Sequence, residues 1–144
     1  MIKYLVFISL TIILAACNRS MSVTMANIDD YLDNPDVQYV DLRESEEITT
    51  SGTIRGFSLI PFHSELVGDG IIHVPSDGQF RPSSILDEAA LSARFDDTKT
   101  IYLICRTGSR TTFVYDALTH LGYDVINVGG IVDYSGTNRV FTPR

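Results

Sequence analysis

The stretch Thr98 to Val125, TKTIYLICRTGSRTTFVYDALTHLGYDV, leaves the chain little freedom in what it can build. Four consecutive apolar residues, Ile101 to Ile104, run into Cys105. A loop with two arginines and a glycine follows, and then Phe113, Val114, Ala117, Leu118 and Leu121 recur at helical spacing. A short run without alternation fits a central parallel strand buried on both faces. The segment Thr111 to Leu121 predicts a helix that stops at Gly122, and DVINV supplies another strand before Gly129 and Gly130, which read as a turn. Strand, helix and strand in this order imply a crossover between parallel strands.

The rest of the chain repeats this alternation. In MSVTMANIDDYLDN, Thr24 can cap a short helix carrying Ile28, Tyr31 and Leu32, which ends before Pro35. VQYVDLRE and FSLIPF are β-rich runs, the second closed by Pro61 and Phe62. From His63 to Pro82, glycines and prolines recur without periodicity, so this part reads as an irregular excursion. From Ser83 or Ser84, SSILDEAALSARF predicts an amphipathic helix with an early Asp–Glu pair. The expectation is a single α/β domain, with a mostly parallel sheet covered by helices on both faces. A chain of 144 residues, 44% hydrophobic, can bury one sizeable core of this kind.

The N-terminus reads differently. Lys3 precedes YLVFISLTIILAA, an apolar stretch too short for a comfortable membrane span, as in a secretory signal peptide. LAAC, Leu14 to Cys17, resembles the lipobox of bacterial lipoproteins, in which the cysteine is alkylated with diacylglycerol and the chain is cut before it. That resemblance implies a signal peptide at residues 1–16, a lipidated Cys17 and linker at 17–21, and a folded domain at 22–144. It also implies a membrane anchor through the Cys17 lipid, since each buried methylene contributes roughly 0.8 kcal/mol. The implied location is the bacterial cell envelope, facing the periplasmic side. Asn18, where an aspartate would favour retention at the inner membrane, leans towards the outer one.

The formal net charge is −7, and loss of residues 1–16 removes only Lys3, leaving −8. Nucleic acid is therefore not an expected partner. Of the two cysteines, lipidation of Cys17 leaves Cys105 without an intrachain partner. A lone thiol in an oxidising compartment calls for a use.

In an open α/β sheet, ligands bind at the carboxyl ends of the strands, where Cys105 is expected to sit. The loop RTGSR leads directly into a helix, so its backbone N–H groups and the helix N-terminus can surround the sulfur with positive potential. Gly108 lets the loop curl, and Arg106 and Arg110 flank it. Surroundings of that kind suit a nucleophilic sulfur.

CRTGSR resembles the active-site loop of single-domain rhodaneses, the thiosulfate-type sulfurtransferases. VDLRE, at Val40 to Glu44, is similar to the family's Asp-x-Arg strand end. SGTIRGFSLIPF is similar to its Gly-His-Ile-Pro-Gly-Ala segment, with Thr53 and Arg55 in place of His and Pro, and NVGGIVDY resembles its terminal Gly-Gly segment, with Tyr134 where a Trp is common. The resemblance implies a five-stranded parallel sheet with helices on both sides. It also implies that Cys105 takes sulfur from a donor such as thiosulfate, becomes a persulfide, and passes the sulfur to a thiol or cyanide, with no cofactor. The amides of Arg106, Thr107, Gly108, Ser109 and Arg110 would hold the terminal sulfur, and the two guanidinium groups would attract the donor.

Other features read as structural. Asp41 and Arg43 form an ion pair supporting the loop; the histidines lack metal-ligand spacing, so no metal site is expected; and Asp29, Asp30, Glu44, Glu46 and Glu47 form a solubilising acidic face. Cysteine phosphatases also ring a thiolate with amides and an arginine, but they place five residues between Cys and Arg. Here four separate Cys105 from Arg110, and the smaller loop suits one sulfur atom better than a tetrahedral phosphate. A non-enzymatic persulfide carrier or redox-thiol module is the alternative to an enzyme.

Overall fold

A computed structural model describes residues 22–141; the lipobox and Cys17 lie outside the described residues. The apolar runs form the strands β1 (Val37–Asp41), β3 (Ser58–Leu59), β4 (Thr100–Cys105) and β5 (Val125–Gly130), in the order β3-β1-β4-β5, with every pairing parallel. Both faces of the sheet are covered, which is why β4 carries no alternation of apolar and polar residues. Ile101, Leu103 and Cys105 join one core with Val40, Leu66, Leu91, Phe113 and Leu118, while Tyr102 and Ile104 join the other with Ile28, Val37, Tyr39 and Ile131.

The helices of the first face are α2 (Glu88–Ser92), α3 (Ser109–His120) and a π-helical turn, Phe62–Val67. The second face is covered by 3-10 turns at Ile28–Tyr31 and Ile131–Asp133. Leu103 is fully buried at the centre of β4. Leu103→Ala is expected to lower stability by about 2–5 kcal/mol, read as a lower midpoint in chemical denaturation.

The central sheet has four strands rather than five. Thr53–Ile54 (β2) instead pairs antiparallel with Arg139–Val140 (β6), and Arg55 N–H extends that ribbon by donating to the carbonyl of Asn138. The helix expected from Ser83 begins at Glu88 instead. Asp87 caps it by accepting from Ala90 N–H (2.8 Å), and the preceding Ile85 is engaged in a bridge to Ile72. The first helix is only a 3-10 turn, with Asn27 rather than Thr24 at its cap position. The Gly129–Gly130 turn does not form either: both residues end β5, opposite Ile104 and Cys105.

A helix that the periodicity did not predict, α1 (Ser45–Ser51), follows β1. Its seven residues are too few for an apolar stripe, but Glu44 and Glu47 close a reciprocal capping box, in which Glu47 accepts from Glu44 N–H (2.9 Å). No helix of the described residues is long and apolar enough to cross a membrane.

Candidate active site

β4 delivers Cys105 to the carboxyl end of the sheet, and α3 begins four residues later. The chain turns between them at Gly108, whose φ of +105° is a conformation that side chains rarely adopt. Gly108 N–H thereby points back and donates to Cys105 Sγ at 3.1 Å. Thr111 closes the turn, its hydroxyl donating to the Gly108 carbonyl (2.8 Å). The N–H groups of Ser109, Arg110 and Thr111 belong to the first turn of α3, where no intrahelical acceptor exists. The sulfur itself is fully buried.

The loop rests directly on β5. A Cβ at Gly130 would lie 2.6 Å from the Arg106 carbonyl oxygen and 2.7 Å from Thr107 Cα, so only glycine allows this approach of two backbones. Val132 N–H adds a hydrogen bond to the Arg106 carbonyl (3.2 Å).

The two arginines of the loop have different surroundings. Arg110 is bound through both terminal nitrogens to Glu47 of α1, at 2.6 and 2.9 Å. Arg106 is exposed, and its guanidinium has no partner among the described residues. The unneutralised charge of this loop is therefore that of Arg106. Hydrogen bonding from Arg110 holds the Glu47 carboxyl down at about 2, against the usual 4.5. A carboxyl lowered on folding stabilises the fold above its unfolded value and loses that contribution as pH falls through its folded value. Glu47→Gln should therefore be less stable than the wild type by a constant margin above about pH 4.5, and the margin should close as the pH approaches 2 in paired denaturation curves.

Asp41 and Arg43 form a buried pair, but among the described residues neither side chain hydrogen-bonds to the sulfur loop. Arg43 reaches Ser51 Oγ (2.8 Å) and the Gly52 carbonyl (2.6 Å), while Asp41 accepts from Thr53 Oγ1 (2.7 Å). Their support is indirect: they fix α1, α1 presents Glu47, and Glu47 holds Arg110.

The acidic face is likewise partly structural. Glu44 accepts from His63 N–H and Ser64 Oγ, and Asp29 accepts from the Tyr134 hydroxyl. Burial and that hydrogen bond push the Tyr134 hydroxyl up to about 12. Glu47 is the site residue that a reading of charge alone misses; its position three residues after Glu44, at the mouth of a capping box, was the available signal.

Two clefts flank the loop. One, of about 550 Å³, is lined by Arg106, Glu46, Ile131, Val132 and Arg139, among others. The other, of about 390 Å³, lies against Phe62, His63, Ser109 and Arg110. Among the described residues, no group of three His, Cys, Asp or Glu side chains is placed to hold a metal ion.

A parallel α/β sheet that presents a buried thiol in a tight amide loop at a helix N-terminus defines a class of cysteine-loop domains. The model of the rhodanese-like domain matches residues 24–137, and the chain belongs to that family. Its fold is shared with the crystal structure of a rhodanese-like domain protein from Staphylococcus aureus, at 24% identity and a TM-score of 0.57, covering 84% of this chain and 97% of that one. It is also similar to the crystal structure of a protein from Staphylococcus saprophyticus subsp. saprophyticus, at 28% identity and a TM-score of 0.53, covering 79% and 92% of the two chains. A search of curated proteins found no match.

Proposed function

We propose that the protein is a sulfurtransferase that moves a sulfane sulfur from thiosulfate or a related donor through a persulfide on Cys105. The observation that carries this reading is the Gly108 N–H directed at Cys105 Sγ, at the entrance to α3. The Cys105 sulfur attacks the outer sulfur of thiosulfate; a new S–S bond forms, and the bond to sulfite breaks with its electron pair leaving on sulfite. A thiol or cyanide then attacks the outer sulfur, and the electron pair of the broken S–S bond returns to Cys105. Gly108 N–H, together with the N–H groups of the first turn of α3 that lack an intrahelical acceptor, stabilises the terminal sulfur as an anion, because these donors are fixed before the charge arrives. Arg106 supplies the positive charge at the mouth.

Complete burial of Cys105 favours one second reading, a carrier whose persulfide is shielded until a partner protein collects it. Steady-state cyanolysis with thiosulfate separates the two. Sustained turnover supports the enzyme, whereas a single transfer from a protein persulfide without thiosulfate turnover supports the carrier.

LAAC before Asn18 supports an attachment of this domain to the cell envelope by lipid on Cys17. Cys17→Ala is expected to abolish incorporation of a labelled fatty acid in cells, and retention of label in that variant would remove the lipid anchor from the account.

A further inference from the structure

The larger cleft offers more room than an inorganic donor such as thiosulfate requires. Its volume of about 550 Å³ lies in the range of sites for organic ligands. Its wall is tied to the cysteine loop, since Val132 N–H donates to the carbonyl of Arg106, the residue after Cys105. Arg106 brings from the loop a guanidinium with no partner among the described residues, and Arg139 brings from β6 one that no carboxylate neutralises among them.

Arg139 is held in place without being neutralised. It donates to the Ser51 carbonyl (2.6 Å) and lies over the Tyr134 ring at 5.4 Å, but no carboxylate pairs with it among the described residues. One donor of five is engaged in that hydrogen bond, which leaves a fork able to take a carboxylate. The carboxylate of Glu46 on α1 is also without a partner among the described residues, while Ile131 and the exposed Val132 form an apolar side.

We propose that this cleft is the acceptor site and that it selects small organic thiols carrying a carboxylate, with Arg139 as a specificity-determining residue. An amino group on the same molecule is met by Glu46, so an amino-acid-type thiol fits best. The inference rests on the sulfurtransferase reading. In the step concerned, the acceptor thiolate attacks the outer sulfur of the Cys105 persulfide, a new S–S bond forms on the acceptor, and the old one breaks with its electrons retained by Cys105. The proton lost by the acceptor thiol goes to solvent.

The test loads the purified full chain with thiosulfate and follows discharge by 3-mercaptopropionate, L-cysteine and 2-mercaptoethanol. Arg139→Gln should lower the preference for 3-mercaptopropionate over 2-mercaptoethanol about ten-fold, as expected for loss of a charge-assisted hydrogen bond, and Arg139→Lys should recover part of it. An unchanged preference in Arg139→Gln overturns the proposal. Unreactive S-methyl-L-cysteine, titrated while the Ile131 and Val132 methyl signals are observed by NMR, tests the site without chemistry. A dissociation constant raised about ten-fold in Arg139→Gln supports it, and absence of binding to the wild type refutes it. Failure of thiosulfate to load the protein would count against the sulfurtransferase reading alone, since the titration still decides the cleft.

Discussion

Cys105→Ser is expected to reduce sulfur transfer by at least about 10³-fold while leaving the fold intact, as removal of a covalent nucleophile does. Serine is close to cysteine in volume, and its hydroxyl can accept from Gly108 N–H as the sulfur does now at 3.1 Å. It cannot carry a second sulfur. Cys105 is also the only cysteine among the described residues, so no neighbouring thiol of the domain can substitute for it. Activity with thiosulfate and cyanide, together with a thermal melt of both proteins, checks the two halves of the statement. A variant that folds and still turns over would place the chemistry elsewhere.

The second large effect is expected at a residue with no reactive group. Gly130 has φ −98° and ψ 131°, which alanine adopts freely, so Gly130→Ala carries no backbone strain. Its methyl group would nevertheless meet the Arg106 carbonyl oxygen at 2.6 Å, and both neighbours are backbone that cannot rotate away. The loop must lift from β5. A displacement of about 1 Å at a reacting group can cost on the order of 10²-fold in rate, so kcat for sulfur transfer should fall at least ten-fold. The melting temperature should fall far less than in Leu103→Ala, because no core side chain is lost. Equal activity in Gly130→Ala and wild type would mean that the loop position is not critical.

These two residues also show what the sequence made legible. The run Ile101 to Cys105 is apolar on both faces, and that pattern alone placed the central strand and put Cys105 at its carboxyl end. The helical period from Phe113 to Leu121 placed α3, to within two residues at its start. Gly130 reads locally as a turn residue and, by resemblance, as part of a terminal Gly-Gly segment; neither reading shows its packing against Arg106, because close approach of two backbones far apart in sequence leaves no local pattern. The same limit explains Glu47. Its charge is visible, but its bond to Arg110 spans 63 positions of sequence, and α1 is too short to announce itself by period. Strand pairing is a tertiary property as well. Thr53–Ile54 is as β-prone as any run in the central sheet, and only the contact with residues 138–140 assigns it to a separate ribbon.

A persulfide on Cys105 is tested most directly by the intact mass of the purified protein after brief exposure to thiosulfate. The wild type is expected to gain one sulfur atom, which cyanide removes and which Cys105→Ser does not acquire. A wild type that gains no sulfur, or a Cys105→Ser variant that gains it equally, would contradict that expectation.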